Sequence, residues 1–172
     1  MLTKEDIPEL AKKTVEDYVL YGKMEEISEE LSEELQRKAG VFVTLKKQGK
    51  LRGCIGTIKP TQKNVAEEIQ KNAISAAEHD PRFPSLKSEE LEDLNYSVDV
   101  IGEMEKVDDK EKLDPQKYGI MVKGGHQSGL LLPDLEGIDN VEEQINIAKK
   151  KAGLVEDADI EIYRFEVKRY KE

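Results

Sequence analysis

Apolar residues recur at three- and four-residue spacing from Ile7 through Leu10, Ala11, Val15, Tyr18 and Val19. That spacing predicts an amphipathic helix over 3–21, capped by Thr3 and stopped by Gly22. Met24, Ile27, Leu31 and Leu35 continue the spacing inside an acidic stretch, so a second, half-buried helix is expected up to Gly40. The pattern then changes period. Val41 to Lys46 and Leu51 to Ile58 are β-rich runs separated by Lys47-Gln48-Gly49-Lys50, which reads as a hairpin with glycine at its turn. Pro60 ends the second strand, and Thr61 is expected to cap a helix to about Glu78 with Val65, Ile69, Ala73, Ala76 and Ala77 on one face.

Two prolines in His79-Asp80-Pro81-Arg82-Phe83-Pro84-Ser85-Leu86 force an extended, irregular loop. A short helix opening at Ser88 and a strand through Tyr96, Val98 and Val100 follow, then a charged connection to about Pro115. Tyr118 to Lys123 and Gln127 to Leu132 flank Gly124-Gly125 as a second hairpin. Val141, Ile145, Ala148 and Ala152 mark a last helix closed by Gly153. From Ile160 to Tyr170 the apolar positions change phase, which predicts a bulge in one long strand. Helices interleaved with hairpins predict an α+β fold with largely antiparallel sheet and flanking helices. No internal repeat or low-complexity linker interrupts it.

Composition narrows the classes. A chain of 172 residues buries a core without staples, and a single cysteine excludes an internal disulfide. Acidic side chains number 37 against 27 basic ones, a formal net charge of −10 that repels phosphate backbones and argues against binding nucleic acid or anionic membrane. No apolar run reaches the length of a membrane span or signal peptide, so a cytoplasmic protein is expected.

The densest chemistry sits in Leu51-Arg52-Gly53-Cys54-Ile55-Gly56-Thr57-Ile58. In an unbroken strand Arg52 and Cys54 share a face, and a guanidinium beside a thiol favours the nucleophilic thiolate. Glycine in a strand marks a bulge or a close approach of ligand or backbone, so Gly53 and Gly56 join Arg52 as expected substrate contacts. The competing reading is a buried cysteine acting as a small hydrophobe. His79 and His126 are the only imidazoles available to a Cys–His pair; a helix end and a hairpin turn explain them as well. Arg82 suits a carboxylate or phosphate ligand, or an ion pair with Asp80. No paired Cys or His spacing supports a metal, the Gly124-Gly125 and Gly129 set lacks the context of a dinucleotide fingerprint, and one cysteine cannot hold an iron–sulfur cluster.

The run Leu-Arg-Gly-Cys-Ile-Gly, with Phe42-Val43-Thr44-Leu45, Asp80-Pro81-Arg82-Phe83-Pro84 and Gly129-Leu130-Leu131-Leu132-Pro133, resembles the AMMECR domain family, whose prokaryotic members are called AmmeMemoRadiSam system protein A. Ser85, and Asp134-Leu135-Glu136-Gly137-Ile138 after the Leu-Pro, depart from the family pattern. The resemblance covers the whole chain and implies one domain of two lobes, discontinuous in sequence, with a cleft near the motif. It also implies a radical SAM or Memo-like partner. An enzyme or substrate-handling subunit for a small anionic molecule or modified residue is the first reading, with Cys54 as catalytic candidate and Arg52, Gly53, Gly56, Asp80 and Arg82 as substrate contacts. A non-catalytic interaction module is the alternative. Arg82 is expected near Arg52, with an anionic ligand, or Asp80 in its place, between the two guanidiniums.

Overall fold

The computed structural model describes residues 1–172, which form two compact units: Met1–Val100 with Lys168–Glu172, and Ile101–Val167. Helix α1 (Ile7–Tyr21) follows a 3₁₀ turn over Lys4–Asp6 and ends at Gly22 in the left-handed region. Thr3 caps the turn as expected, its backbone N–H and hydroxyl both donating to the Asp6 carboxylate.

The expected second helix does not form as read. Only Glu33–Gln36 is helical (α2), and 23–31 runs as an exposed irregular strap tied by a parallel bridge between Leu2 and Leu31. Ile27 and Leu31 do pack against the core, but two anchors this far apart can be buried by an extended segment as well as by a helix, so their spacing was not decisive.

Strands β1 (Val41–Lys47) and β2 (Lys50–Gly56) meet at the turn Gln48-Gly49, where both residues have positive φ (51° and 77°), the geometry of a type I′ hairpin. β3 (Leu94–Ile101) follows helix α3 (Val65–Glu78) and a 3₁₀ helix (Ser88–Asp93), and β8 (Val167–Lys171) closes a sheet of order β2-β1-β3-β8. Val41, Val43 and Leu45 alternate into the core beneath α3, which packs on β1 and β2 and in turn on α1. The cap of α3 is Asn64, not Thr61: the Asn64 side chain accepts from the Glu67 N–H at 2.9 Å. Thr61 instead donates to Glu68, a fully buried carboxylate that also accepts from Thr57 and from the Gln62 N–H. This network ties the end of β2 to α3.

The second unit holds a sheet of order β4-β7-β5-β6, built from β4 (Glu105–Val107), β5 (Gly119–Gly124), β6 (Gln127–Leu131) and β7 (Glu161–Phe165). Helix α4 (Val141–Ala152) packs on β5 and β6. β4 lies in what the sequence reads as a charged connection; three residues with one buried side chain, Val107, carry no detectable alternation. The phase change near Glu166 is a change of sheet rather than a bulge in one strand, since β7 belongs to this sheet and β8 to the other. No helix is long and apolar enough to cross a membrane.

Candidate functional site

β2 is an edge strand, and its pairing with β1 fixes what the motif presents. Lys46 pairs with Leu51 but Leu45 with Gly53, so Arg52 is the extra residue of a bulge. The bulge resets the register: Cys54 stands opposite Thr44, and the two side chains touch, Sγ to Oγ1 at 3.2 Å. The next hydrogen bond along the ladder, Thr57 N–H to Val41 O at 2.9 Å, alternates correctly for Cys54 and Thr44 to be a non-hydrogen-bonded pair, in which side chains lie close.

The outward backbone groups of Cys54 would otherwise be a free sheet edge. The Asp80 carboxylate accepts the Cys54 N–H at 2.9 Å, and the Arg82 Nη2 donates to the Cys54 carbonyl at 3.4 Å. Arg82 also donates to Asp80 through Nε (3.0 Å) and Nη2 (2.8 Å), and through its backbone N–H (3.1 Å). Pro81 and Pro84 hold this loop non-helical, and its ends are tied to α3 by the Leu86 N–H donating to Ala77 O at 2.9 Å. Asp80 thereby takes the place of a partner strand's carbonyl, and Arg82 that of its N–H.

Arg52 is held separately. Its Nε and Nη2 form a two-point pair with Glu90 at 2.9 Å each, and Glu90 also accepts from Lys47 at 3.1 Å and from the Lys87 N–H. Phe83 contacts both arginines, its ring centroid 5.9 Å from the Arg52 guanidinium carbon and 5.5 Å from that of Arg82. Both guanidiniums thus lie against one ring, and each has its own carboxylate, Glu90 for Arg52 and Asp80 for Arg82, instead of the expected single anion or Asp80 between them.

These pairings shift the titrations. Hydrogen bonding from Arg82, helped by the Cys54 and Arg82 N–H groups, outweighs burial and holds Asp80 well below the usual carboxylate range. Arg52, with the Lys87 N–H and Lys47, brings Glu90 down to about 2. Cys54 moves the other way. Burial pushes its thiol up, and the opposing effects of Thr44 and Arg82 do not compensate, while Asp99 and Asp80 push further upward. The expected Arg52-stabilised thiolate is thus corrected: Arg52 is committed to Glu90, and burial favours the neutral thiol of Cys54.

The glycines have packing partners. A Cβ on Gly53 would collide with the carbonyl oxygen of Ala76 in α3, and one on Gly56 with the ring of Phe42. The close approach expected at Gly53 is therefore to a helix backbone. Arg82 is the motif's exposed charge, with 55% of its side chain accessible against 11% for Arg52 and 2% for Asp80. Sequence reasoning missed Glu90 and Thr44. Glu90 belongs to an ordinary acidic run, and Thr44 would be placed opposite Gly53 by counting back from the turn without the bulge. His79 caps α3 and His126 lies in the β5–β6 turn, neither bonded to Cys54. No group of three His, Cys, Asp or Glu side chains is arranged to hold a metal ion.

The sequence pattern of the AMMECR1 family matches residues 8–170. A protein of Thermotoga maritima is 56% identical over 164 residues, covering 94% of each chain. A longer protein of Clostridium acetobutylicum is 48% identical over 171 residues, which span 98% of this chain and 36% of that one. The crystal structure of an uncharacterised protein from Pyrococcus horikoshii superposes with a TM-score of 0.88 at 34% identity, over 98% of this chain and 90% of that one. With the family pattern matched over residues 8–170 and the fold shared, this chain belongs to the AMMECR1 family.

Proposed function

We propose that this protein is a substrate-handling component that holds a small anionic molecule or a modified residue at the Cys54–Arg82 edge, with the reaction supplied by a partner. The observation that carries the reading is Arg82. Its guanidinium is fixed from behind by buried Asp80, sits against the Cys54 carbonyl, and leaves Nη1 without a protein acceptor on an accessible side chain. A planar donor held this way is suited to an oxyanion. Cys54 contributes a neutral thiol, a weak donor rather than a ready nucleophile, and it has no imidazole base. This favours handling over covalent catalysis by the chain alone. The family resemblance makes a radical SAM or Memo-like protein the partner to test.

Three concavities of the first unit, of 230, 730 and 390 Å3, include none of Arg52, Cys54 or Arg82 among their linings. That observation favours the second reading, an interaction module whose edge meets a protein surface. Two measurements separate the readings. Iodoacetamide labelling of the native protein should proceed slowly at neutral pH, with a midpoint above the ordinary thiol value of about 8.5. Titration with inorganic phosphate, followed by residue-resolved NMR, should move the amides of 80–83 and Cys54, and Arg82→Met should abolish the response. Fast labelling at pH 7 would restore a nucleophilic role. Unmoved amides would leave the interaction module.

A further inference from the structure

β8 bounds the first sheet on one side as β2 does on the other, and the two edges are treated differently. On β2 the Asp80 carboxylate and the Arg82 guanidinium meet the outward backbone groups of Cys54. In the second sheet the Lys151 ammonium donates to the Leu130 carbonyl of edge strand β6 at 2.8 Å, and the other edge, β4, is only three residues long. β8 has five residues. It runs antiparallel to β3: the Gly102 N–H donates to the Glu166 carbonyl at 2.8 Å, and the Glu172 N–H to the Tyr96 carbonyl at 3.4 Å. Both bonds keep one register, so the even-numbered residues bond inward, and Val167 and Lys171 turn N–H and C=O away from the sheet. No side chain or loop meets the outward groups of those two residues.

A concavity of about 390 Å3 opens along this edge, walled by Lys4 and Glu5 of the N-terminal 3₁₀ turn and by Lys168, Arg169 and Tyr170. Side chains from both faces of β8 line it, as a groove at a strand's edge requires. Its charge runs against that of the chain. β8 carries three cations, Lys168, Arg169 and Lys171, and no carboxylate, in a protein of net charge −10. Arg169 is held by Asp99 at 2.6 and 2.8 Å, while Lys168, which shares Glu34 with the Tyr170 hydroxyl, stays 68% exposed. Lys171 is exposed too. A second copy fits poorly, because two β8 strands paired antiparallel about their centre would set Arg169 against Arg169. The matching occupant is an extended segment with carboxylates at alternate positions.

We propose that β8 accepts an acidic, extended peptide segment of a partner protein as a fifth strand of the first sheet. The main chain supplies the ladder bonds, and the lysines select acidic sequences over neutral or basic ones. The site lies across the sheet from the Cys54–Arg82 edge, so it stands under either reading of that edge. Titration of the full chain with a hexapeptide alternating glutamate and valine, at physiological salt, should give saturable NMR shifts over 167–171. Hydrogen exchange at the Val167 and Lys171 amides should slow, with Cys54 and 80–83 unmoved. The same peptide N-methylated throughout keeps its charge, cannot form a ladder and should not bind. Lys168→Gln, an exposed change, should weaken binding about threefold, the range of an exposed ion pair, while Lys123→Gln on β5 should not. Equal binding of the N-methylated peptide, or shifts without slowed exchange, would reduce the contact to charge attraction and overturn strand addition. Equal binding of a lysine–valine hexapeptide would overturn the acidic partner. Exchange at Val167 and Lys171 that slows with protein concentration alone would make a second copy the occupant. No binding at all would leave the cations as a guard against other strands.

Discussion

Each unit contains a hairpin whose edge strand lies under a helix, and the two versions share their local design. In the first, Gly53 of β2 lets the Ala76 carbonyl of α3 approach; in the second, Gly129 of β6 does the same for the Ala148 carbonyl of α4. Both helices open on asparagine, Asn64 accepting from the Glu67 N–H and Asn140 from the Glu143 N–H. The difference lies after the helix. α3 leads into the Asp80–Pro84 loop and the 3₁₀ helix bearing Glu90, which fasten to β2, whereas α4 ends at Gly153 in a left-handed cap. Glycine in the edge strand is therefore a packing device common to both units. The motif's distinct chemistry belongs to what caps its edge.

The largest expected effect breaks this asymmetry. Glu90→Ala should cost about 3 kcal/mol, because it leaves the mostly buried Arg52 without its partner. Native-state hydrogen exchange should show the loss in β1 and β2 and not in β5 and β6. Gly53→Val and Gly129→Val should each cost about 2 kcal/mol by overpacking, measured by urea denaturation. Equal losses would support the common design, while a tolerated Gly53→Val would mean that α3 can retreat from the strand.

Acid should then distinguish the units again. The folded-state titrations of Glu90 and Asp80 lie below their ordinary values of 4.5 and 3.8, so their stabilising contributions are fully present above those values. For Glu90 that contribution is lost as pH falls from 4.5 toward about 2, and for Asp80 from 3.8 downward. Stability of the first unit should fall through this range, and Glu90→Gln should flatten the upper part of the profile. The smallest effects are the helix caps: Asn64→Ala and Asn140→Ala should each cost about 1 kcal/mol, read as a fall in thermal midpoint.

Legible in the sequence were the end of α1 at Gly22, both hairpins, the helix at Val141–Ala152 and the irregular proline loop. Each of these is set by local rules: side-chain period, glycine at a turn, proline's missing N–H. The sequence also brought Arg82 beside the motif strand, because a helix returning along a hairpin has few places to deliver its next loop. The rest depended on contacts between distant segments. The 23–31 strap is extended because Leu2 offers it a bridge, the last apolar run divides between two sheets, and Arg52 bulges so that Cys54 faces Thr44. The titration of Cys54 was decided there too. A carboxylate paired with a nearby arginine offsets its pull on a thiol, and whether Glu90 reaches Arg52 depends on residues 38 positions apart meeting across the fold.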